Sequence, residues 1–118
     1  MYRKSVIILV VSREILEGAV VDRNAAFMAN RIDDLGYRVR SIQVVDRLES
    51  EMVTAIRQAL EQKPNYLLIT GGIGPNFDDN TRACVAKATG LPLREDKKAL
   101  EFVQNSYRRL FAKGLADA

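Results

Sequence analysis

The chain has 118 residues, of which 47% are hydrophobic and 28% are charged, and its formal net charge is +3. This length and composition are those of one ordinary globular domain, residues 1–118, that is large enough to bury a core. A net charge of this size does not by itself indicate nucleic-acid binding. The longest purely apolar run, residues 6–11, is too short to cross a membrane. No small-residue cleavage site follows this run, so we expect a cytoplasmic protein.

Histidine is absent, and Cys84 is the only cysteine. Without histidine, proton transfer falls to Asp, Glu, Lys, Tyr or a metal-bound water. A single cysteine allows neither a disulfide within this chain nor a CxxC zinc site. Cys84 falls inside a predicted helix, where we expect it to be a small buried hydrophobe.

The first predicted element is a strand at residues 5–11, Ser-Val-Ile-Ile-Leu-Val-Val. Apolar residues on both alternating faces are typical of a central parallel strand that is covered on both sides. Residues 12–18 follow as a predicted loop. A helix is then predicted from Asp22 or Arg23 to Leu35, with Gly36 as its terminator. Its apolar residues recur at helical spacing, at Ala25, Met28, Ile32 and Leu35.

The middle of the chain predicts a second, less buried strand at residues 38–45 and a helix at residues 49–62. The strand alternates, with Val39 and Ser41 on one face and Ile42 and Val44 on the other. The helix ends at Lys63-Pro64-Asn65, because proline cannot continue it.

A third strand is predicted at residues 66–70, a third helix at 79–89 and a long amphipathic helix from Asp96 through residue 113. The apolar stripe of the last helix is Leu100, Val103, Tyr107 and Leu110. That stripe is either part of the core or an exposed partner surface, and the second alternative favours a homo-oligomer.

The element order βαβαβα predicts an α/β fold of three layers, α/β/α, with a mostly parallel sheet. In such sheets ligands bind outside the carboxyl ends of the strands. The loops after the three strands, at residues 12–14, 46–47 and 70–81, are therefore expected to meet as one site. Together they offer carboxylates, two guanidiniums, hydroxyls and glycine backbone.

The turn at residues 70–81 reads Thr-Gly-Gly-Ile-Gly-Pro-Asn-Phe-Asp-Asp-Asn-Thr. Glycine lets a ligand approach the main chain closely, and the start of the next helix offers free N–H groups to an anion. The two carboxylates would repel a phosphate unless a hard cation such as Mg²⁺ lies between them. An alternative stays open, in which the turn only connects a strand to a helix and binds no ligand, with Asp79 as the helix N-cap. The turn lacks the lysine of a Walker loop, and Phe77 replaces the third glycine of a dinucleotide fingerprint.

These residues also resemble a known family. Thr70-Gly-Gly-Ile-Gly-Pro, two positions, then Asp78-Asp-Asn-Thr resembles the TGG-x-GP-x-x-D-D-x-T signature of the molybdopterin-binding domain. That domain occurs in molybdenum-cofactor biosynthesis proteins and in the CinA (competence/damage-inducible) proteins. Glu14-Ile-Leu-Glu-Gly and Val21-Asp-Arg-Asn-Ala-Ala-Phe are similar to CinA patterns, so the resemblance is closer to CinA-like members.

The resemblance implies a ligand site at the same loop ends. It implies Asp79, Glu14 and Asp46 as catalytic carboxylates, with Asp79 and Glu14 holding Mg²⁺. The residues that it implies for binding molybdopterin or a nucleotide are Ser12, Asn24, Thr70, Gly71, Gly72, Gly74, Asp78 and Thr81.

The chain also departs from the family pattern. Ser12-Arg13 stands where the family has glycine and then Asp, Asn or Thr, and a cation there is expected to pair with Glu14 or with a ligand phosphate. Arg23 replaces a usual threonine, and Asn80 replaces an aliphatic residue. The family domain normally continues with further strands and a ligand loop, so we expect its C-terminal part to be missing here.

Three functions remain open at this point. The first is a CinA-like domain that hydrolyses the pyrophosphate of an ADP-ribose-type nucleotide with a divalent metal. The second is a non-catalytic ligand-binding or assembly module of the same fold. The third is molybdopterin adenylyl transfer, against which the CinA-like start of the first helix argues. Nucleic-acid binding is disfavoured, because the basic residues are spread without aromatic interleaving.

Overall fold

The structure is a computed structural model that describes residues 3–114. Its elements in chain order are β1 (Ser5–Val11), α1 (Arg13–Leu16), α2 (Asn24–Asp34), β2 (Arg38–Val45), α3 (Glu49–Glu61), β3 (Tyr66–Thr70), α4 (Thr81–Thr89) and α5 (Lys97–Ala112). Every predicted strand and helix is present, with ends within two residues of the prediction. None of the described helices is both long enough and apolar enough to span a membrane.

β1 is the centre of the molecule. The three strands are parallel in the order β2-β1-β3, and residues 6–11 are all buried. Side chains of β1 that point to one face pack with α3 and α4 around Met52, Ile56 and Cys84. Those on the other face pack with α2 through Ala25 and Ile32. The predicted α/β fold with a parallel sheet between helical layers is confirmed, because an apolar strand of this kind needs cover on both faces.

Residues 13–16 were predicted as part of a loop, and that prediction is wrong. They form α1, a single helical turn. The side chain of Ser12 accepts a hydrogen bond from the backbone N–H of Ile15 at 3.2 Å, which satisfies one of the free donors at the start of the turn. The turn carries Glu14 and fixes it close to the carboxyl end of β1.

The two faces predicted for β2 are also partly wrong, because the strand contains a bulge. Val6 pairs with Val39, but the next residue of β1, Ile7, pairs with Ser41, so Arg40 is an extra residue. The extra residue reverses the alternation. Val39 consequently packs against the same core cluster as Val44 instead of facing the opposite side.

The apolar stripe of α5 is exposed within the described part of the chain. None of the residues of α5 is buried, and Leu100 and Leu110 are each 40% exposed. The stripe is therefore not part of this core. Such exposure agrees with the alternative in which the stripe is a surface for a partner. The edge strand β3 is open too, since Tyr66 and Leu68 are 46% and 37% exposed.

A pair of leucine variants tests the central place of β1. Leu9 is 1% exposed, whereas Leu35, the last residue of the predicted apolar spacing, is the C-cap of α2 and is 72% exposed. Leu9→Ala should lower the free energy of unfolding in urea by about 3 kcal/mol, because it leaves a cavity in the core cluster that contains Met52 and Ile56. Leu35→Ala should change it by less than about 0.5 kcal/mol. Equal losses in the two variants would contradict this description of the core.

Candidate functional site

The three loops at the carboxyl ends of the strands meet around Arg47, which follows β2. Its Nη2 atom lies 2.9 Å from Oε1 of Glu14, which follows β1. Its Nη1 atom lies 3.0 Å from Oδ2 of Asp78, which follows β3. One guanidinium thus bridges all three strand ends. The predicted convergence of the loops is confirmed.

A second arginine pairs with Asp46. Nε of Arg13 donates a hydrogen bond of 3.0 Å to Oδ1 of Asp46, which also accepts from the backbone N–H of Arg47 at 2.7 Å. Burial by itself would raise the pKa of Asp46, but these two hydrogen bonds and both arginine charges together lower it below its ordinary value. The same hydrogen bond and the charge of Asp46 raise the pKa of Arg13. The pair is therefore charged at neutral pH.

The first glycines of the turn are required by the chain's own packing. Gly71 and Gly72 have φ values of +92° and +65°, a region that favours glycine. A Cβ on Gly71 would lie 2.3 Å from the backbone oxygen of Val11, and one on Gly72 would lie 2.3 Å from Oγ1 of Thr81. Thr81 is buried, and its hydroxyl donates a 2.8 Å hydrogen bond to the oxygen of Gly71. These contacts hold the turn between β1 and the start of α4.

Asp79 closes the turn on itself instead of capping α4. Its Oδ2 accepts a hydrogen bond from the backbone N–H of Asn76 at 3.0 Å, and a Cβ on Gly74 would lie 2.7 Å from the same oxygen. The N-cap position of α4 is Asn80, whose side chain makes no capping hydrogen bond. The alternative in which Asp79 caps the helix is therefore wrong, although its carboxylate does satisfy a backbone donor.

A cavity of about 390 Å³ lies beside the carboxyl ends of β1 and β3, on the α2 side of the sheet. Five of the predicted site residues line it: Ser12, Glu14, Asn24, Thr70 and Gly71. Asp22 and Arg23 line it as well, and these were not predicted as site residues. The signal that could have found them was their position at the start of α2, beside Asn24. Asp22 lies one residue before the N-cap, Arg23, and its Oδ1 accepts a hydrogen bond from the backbone N–H of Ala25 at 3.1 Å.

The other predicted site residues do not line this cavity. Gly72, Gly74, Asp78, Asp79 and Thr81 form or brace the turn next to it. Asp46 lines a separate cavity of about 490 Å³ at the outer edge of β2, together with residues of α3. The structure thus divides the predicted set into a group around the cavity and a group that holds the loops together.

The carboxylates do not fit a divalent metal as they stand. Mg²⁺ takes oxygen ligands in a near-octahedral arrangement. Within residues 3–114, no three Asp, Glu or Cys side chains are grouped so that they could hold a metal ion. Glu14 and Asp46 are engaged by guanidiniums, and Asp79 is turned to a backbone N–H. The expected Mg²⁺ site at Asp79 and Glu14 is therefore not formed within residues 3–114, because an arginine holds one oxygen of Glu14, the turn backbone holds one oxygen of Asp79, and no third acidic ligand is grouped with them.

Comparisons with known sequences agree with one another. A family model described as a probable molybdopterin binding domain matches residues 7–117. A protein of Pyrococcus horikoshii is 40% identical over 110 residues, which are 93% of this chain and 43% of the relative. A protein of Thermococcus kodakarensis is 37% identical over 110 residues, and the match covers 44% of it. The chain thus spans less than half the length of these relatives.

Solved structures show the same likeness. A crystal structure of CinA from Thermoplasma acidophilum, described as a protein of unknown function, has a TM-score of 0.83 and 38% identity, and the match covers 98% of this chain and 64% of that one. A tungsten cofactor synthesizing protein, MoaB from Pyrococcus furiosus, has a TM-score of 0.68 and 19% identity, with 98% of this chain and 70% of that chain covered. The second likeness shows the fold alone.

The packing role of the turn predicts the outcome of two glycine variants. Gly71 and Gly18 both have positive φ, so alanine strains the backbone at both positions. A Cβ at Gly18 meets no atom within 4 Å, whereas at Gly71 it meets backbone that cannot move aside. Gly71→Ala should therefore lower the melting temperature clearly more than Gly18→Ala does. Similar melting temperatures for the two variants, measured by circular dichroism, would contradict the packing role.

The lowered pKa of Asp46 predicts how stability depends on pH. A carboxylate with a lowered folded-state pKa binds fewer protons in the folded than in the unfolded state, so its contribution is present above the unfolded-state pKa and is lost on acidification. Between about pH 5 and pH 3 the free energy of unfolding of the wild type should fall more steeply than that of Asp46→Asn. Asp34→Asn, which removes an exposed aspartate of α2, is the control and should keep the wild-type slope. Equal slopes for the wild type and Asp46→Asn would refute the ion pair.

Proposed function

Because this chain belongs to the family of molybdopterin-binding domains and is CinA-like, we propose that it binds a phosphate-bearing pterin or nucleotide at the carboxyl ends of β1 and β3. One observation carries the proposal. The cavity of about 390 Å³ gathers Ser12, Glu14, Asn24, Thr70 and Gly71 from three separate segments of the chain. Its position is the one at which parallel α/β sheets bind their ligands.

The chemistry of the cavity suits such a ligand. Its volume is within the usual range for small-molecule sites. Val20 and Val21 give it an apolar wall against which a flat ring can pack. Asn24 is the first residue of α2, where the positive end of the helix dipole favours an anion, and the N–H of Ala25 in the same turn is already bonded to Asp22. Arg23 adds a positive charge at the same edge, where it faces the negative charges of Glu14 and Asp22 in the lining.

Binding is proposed in preference to metal-dependent hydrolysis or adenylyl transfer. Hydrolysis of a pyrophosphate through Mg²⁺ needs carboxylate oxygens that are available to the ion. In this chain the carboxylates of Glu14 and Asp46 are paired with arginines. Adenylyl transfer is the weaker alternative, because the start of α2 resembles the CinA pattern and CinA from Thermoplasma acidophilum has the higher identity and TM-score of the two structures compared above.

Asn24 offers the direct test of the cavity. Titration calorimetry with AMP, ADP-ribose and a pterin should give heat with at least one probe. Asn24→Ala should weaken that binding by about tenfold, because it removes hydrogen-bonding groups from the wall of the cavity. Asn30→Ala, at an exposed position on the same helix, is the matched control and should leave the affinity unchanged. Absence of heat from all three probes, or equal affinities for the two variants, would contradict the proposal.

A further inference from the structure

The carboxylates at the strand ends already have cationic partners from the chain itself. Glu14, Asp46 and Asp78 are paired with Arg13 and Arg47 at distances between 2.9 and 3.0 Å. At neutral pH this leaves the five side chains with one net negative charge. A divalent ion bound by the same acids would bring two positive charges to the place where two guanidiniums already lie.

Displacing the arginines would be unfavourable. The side chain of Arg47 is only 20% exposed, and its Nε atom is buried without a hydrogen-bond partner in the described part of the chain. A metal ion that took its carboxylate partners would leave a poorly solvated guanidinium beside a dication. The planar guanidinium of arginine can also form two parallel hydrogen bonds to a carboxylate or a phosphate, whereas the ammonium group of lysine does not match that geometry.

We propose that Arg13 and Arg47 take the place of a divalent metal at this site. They neutralise the carboxylates of the three loops and supply the positive charge that a ligand phosphate meets, so binding needs no divalent cation. The role of the arginines toward a ligand phosphate rests on the proposed function. The exclusion of a metal does not.

The two arginines have different roles. Arg47 uses both Nη atoms on Glu14 and Asp78, so it is a positioning residue that holds the loops together. Arg13 is 42% exposed and bonds Asp46 through Nε, and no hydrogen bond from its Nη atoms is found within residues 3–114. Its neighbours in sequence, Ser12 and Glu14, line the cavity. Arg13 does not itself line that cavity, but it is the one of these two arginines whose Nη atoms are left for a phosphate.

The first arm of the test measures metal binding without any ligand. Mn²⁺, which shares the oxygen preference of Mg²⁺, is titrated into the protein and followed by electron paramagnetic resonance. The wild type should bind it weakly, with an affinity that Asp46→Asn does not change. The double variant Arg13→Asn/Arg47→Asn should bind it at least about tenfold more tightly, because the carboxylates of Glu14, Asp46 and Asp78 all lose their partners.

The controls make this arm decisive. Arg40→Asn removes an arginine that bonds the oxygen of Gln62 at the other end of the sheet, and it should behave as the wild type. If thermal melting shows the double variant to be unfolded, Arg13→Asn alone takes its place, since that side chain is the more exposed. Stoichiometric Mn²⁺ binding by the wild type that Asp46→Asn abolishes would overturn the proposal. So would arginine variants that bind Mn²⁺ no better than Arg40→Asn does.

The second arm measures the affinity for ADP-ribose in EDTA and in excess Mg²⁺. The two dissociation constants of the wild type should agree within about twofold, and Arg13→Asn should weaken binding in EDTA at least about tenfold, whereas Arg40→Asn should not. A strict requirement for Mg²⁺ would overturn the proposal. If neither ADP-ribose, AMP nor a pterin binds in either buffer, the proposed function fails together with the phosphate role of Arg13. The Mn²⁺ arm then still decides whether the arginines exclude a metal.

Discussion

The candidate site depends on one guanidinium. Arg47 forms ion pairs with Glu14 and Asp78 and so joins the ends of β1, β2 and β3, which are the three parallel strands of the sheet. Without it the acidic loops would repel one another, because three carboxylates would share one corner of the molecule. Arg13 adds a separate pair with Asp46 at the same corner. The cavity next to these pairs keeps its shape only if the loops stay together.

Much of the fold could be predicted from the sequence, because β1 carries an unambiguous pattern. An apolar strand at residues 5–11 between amphipathic helices leaves few arrangements other than a covered parallel sheet. The errors lie where local chemistry competes with periodicity. Ser12 caps a helical turn that is too short to show a period, and the bulge at Arg40 shifts the faces of β2 by one residue. Such features depend on hydrogen bonds that a hydrophobic pattern does not record.

The position of the site could be predicted from the sequence, but the partners of its carboxylates could not. Parallel strands place their loops at one edge, so the meeting of Glu14, Arg47 and Asp78 follows from the topology. The partners of each carboxylate do not follow, since they depend on side-chain geometry over distances of 2.9 to 3.0 Å. A glycine turn has the same sequence whether it faces a ligand or packs against its own chain. At Gly71 the structure shows packing against Val11.

We infer that arginine, and not a metal ion, is the cation at the strand ends. Crystals grown with Mn²⁺ and measured at an X-ray energy at which manganese scatters anomalously test it most directly, because they locate the ion. We expect no anomalous peak between Glu14 and Asp46, with the guanidiniums of Arg13 and Arg47 in hydrogen-bonding contact with these carboxylates. A strong peak coordinated by both carboxylates, with the arginines turned away, would contradict it.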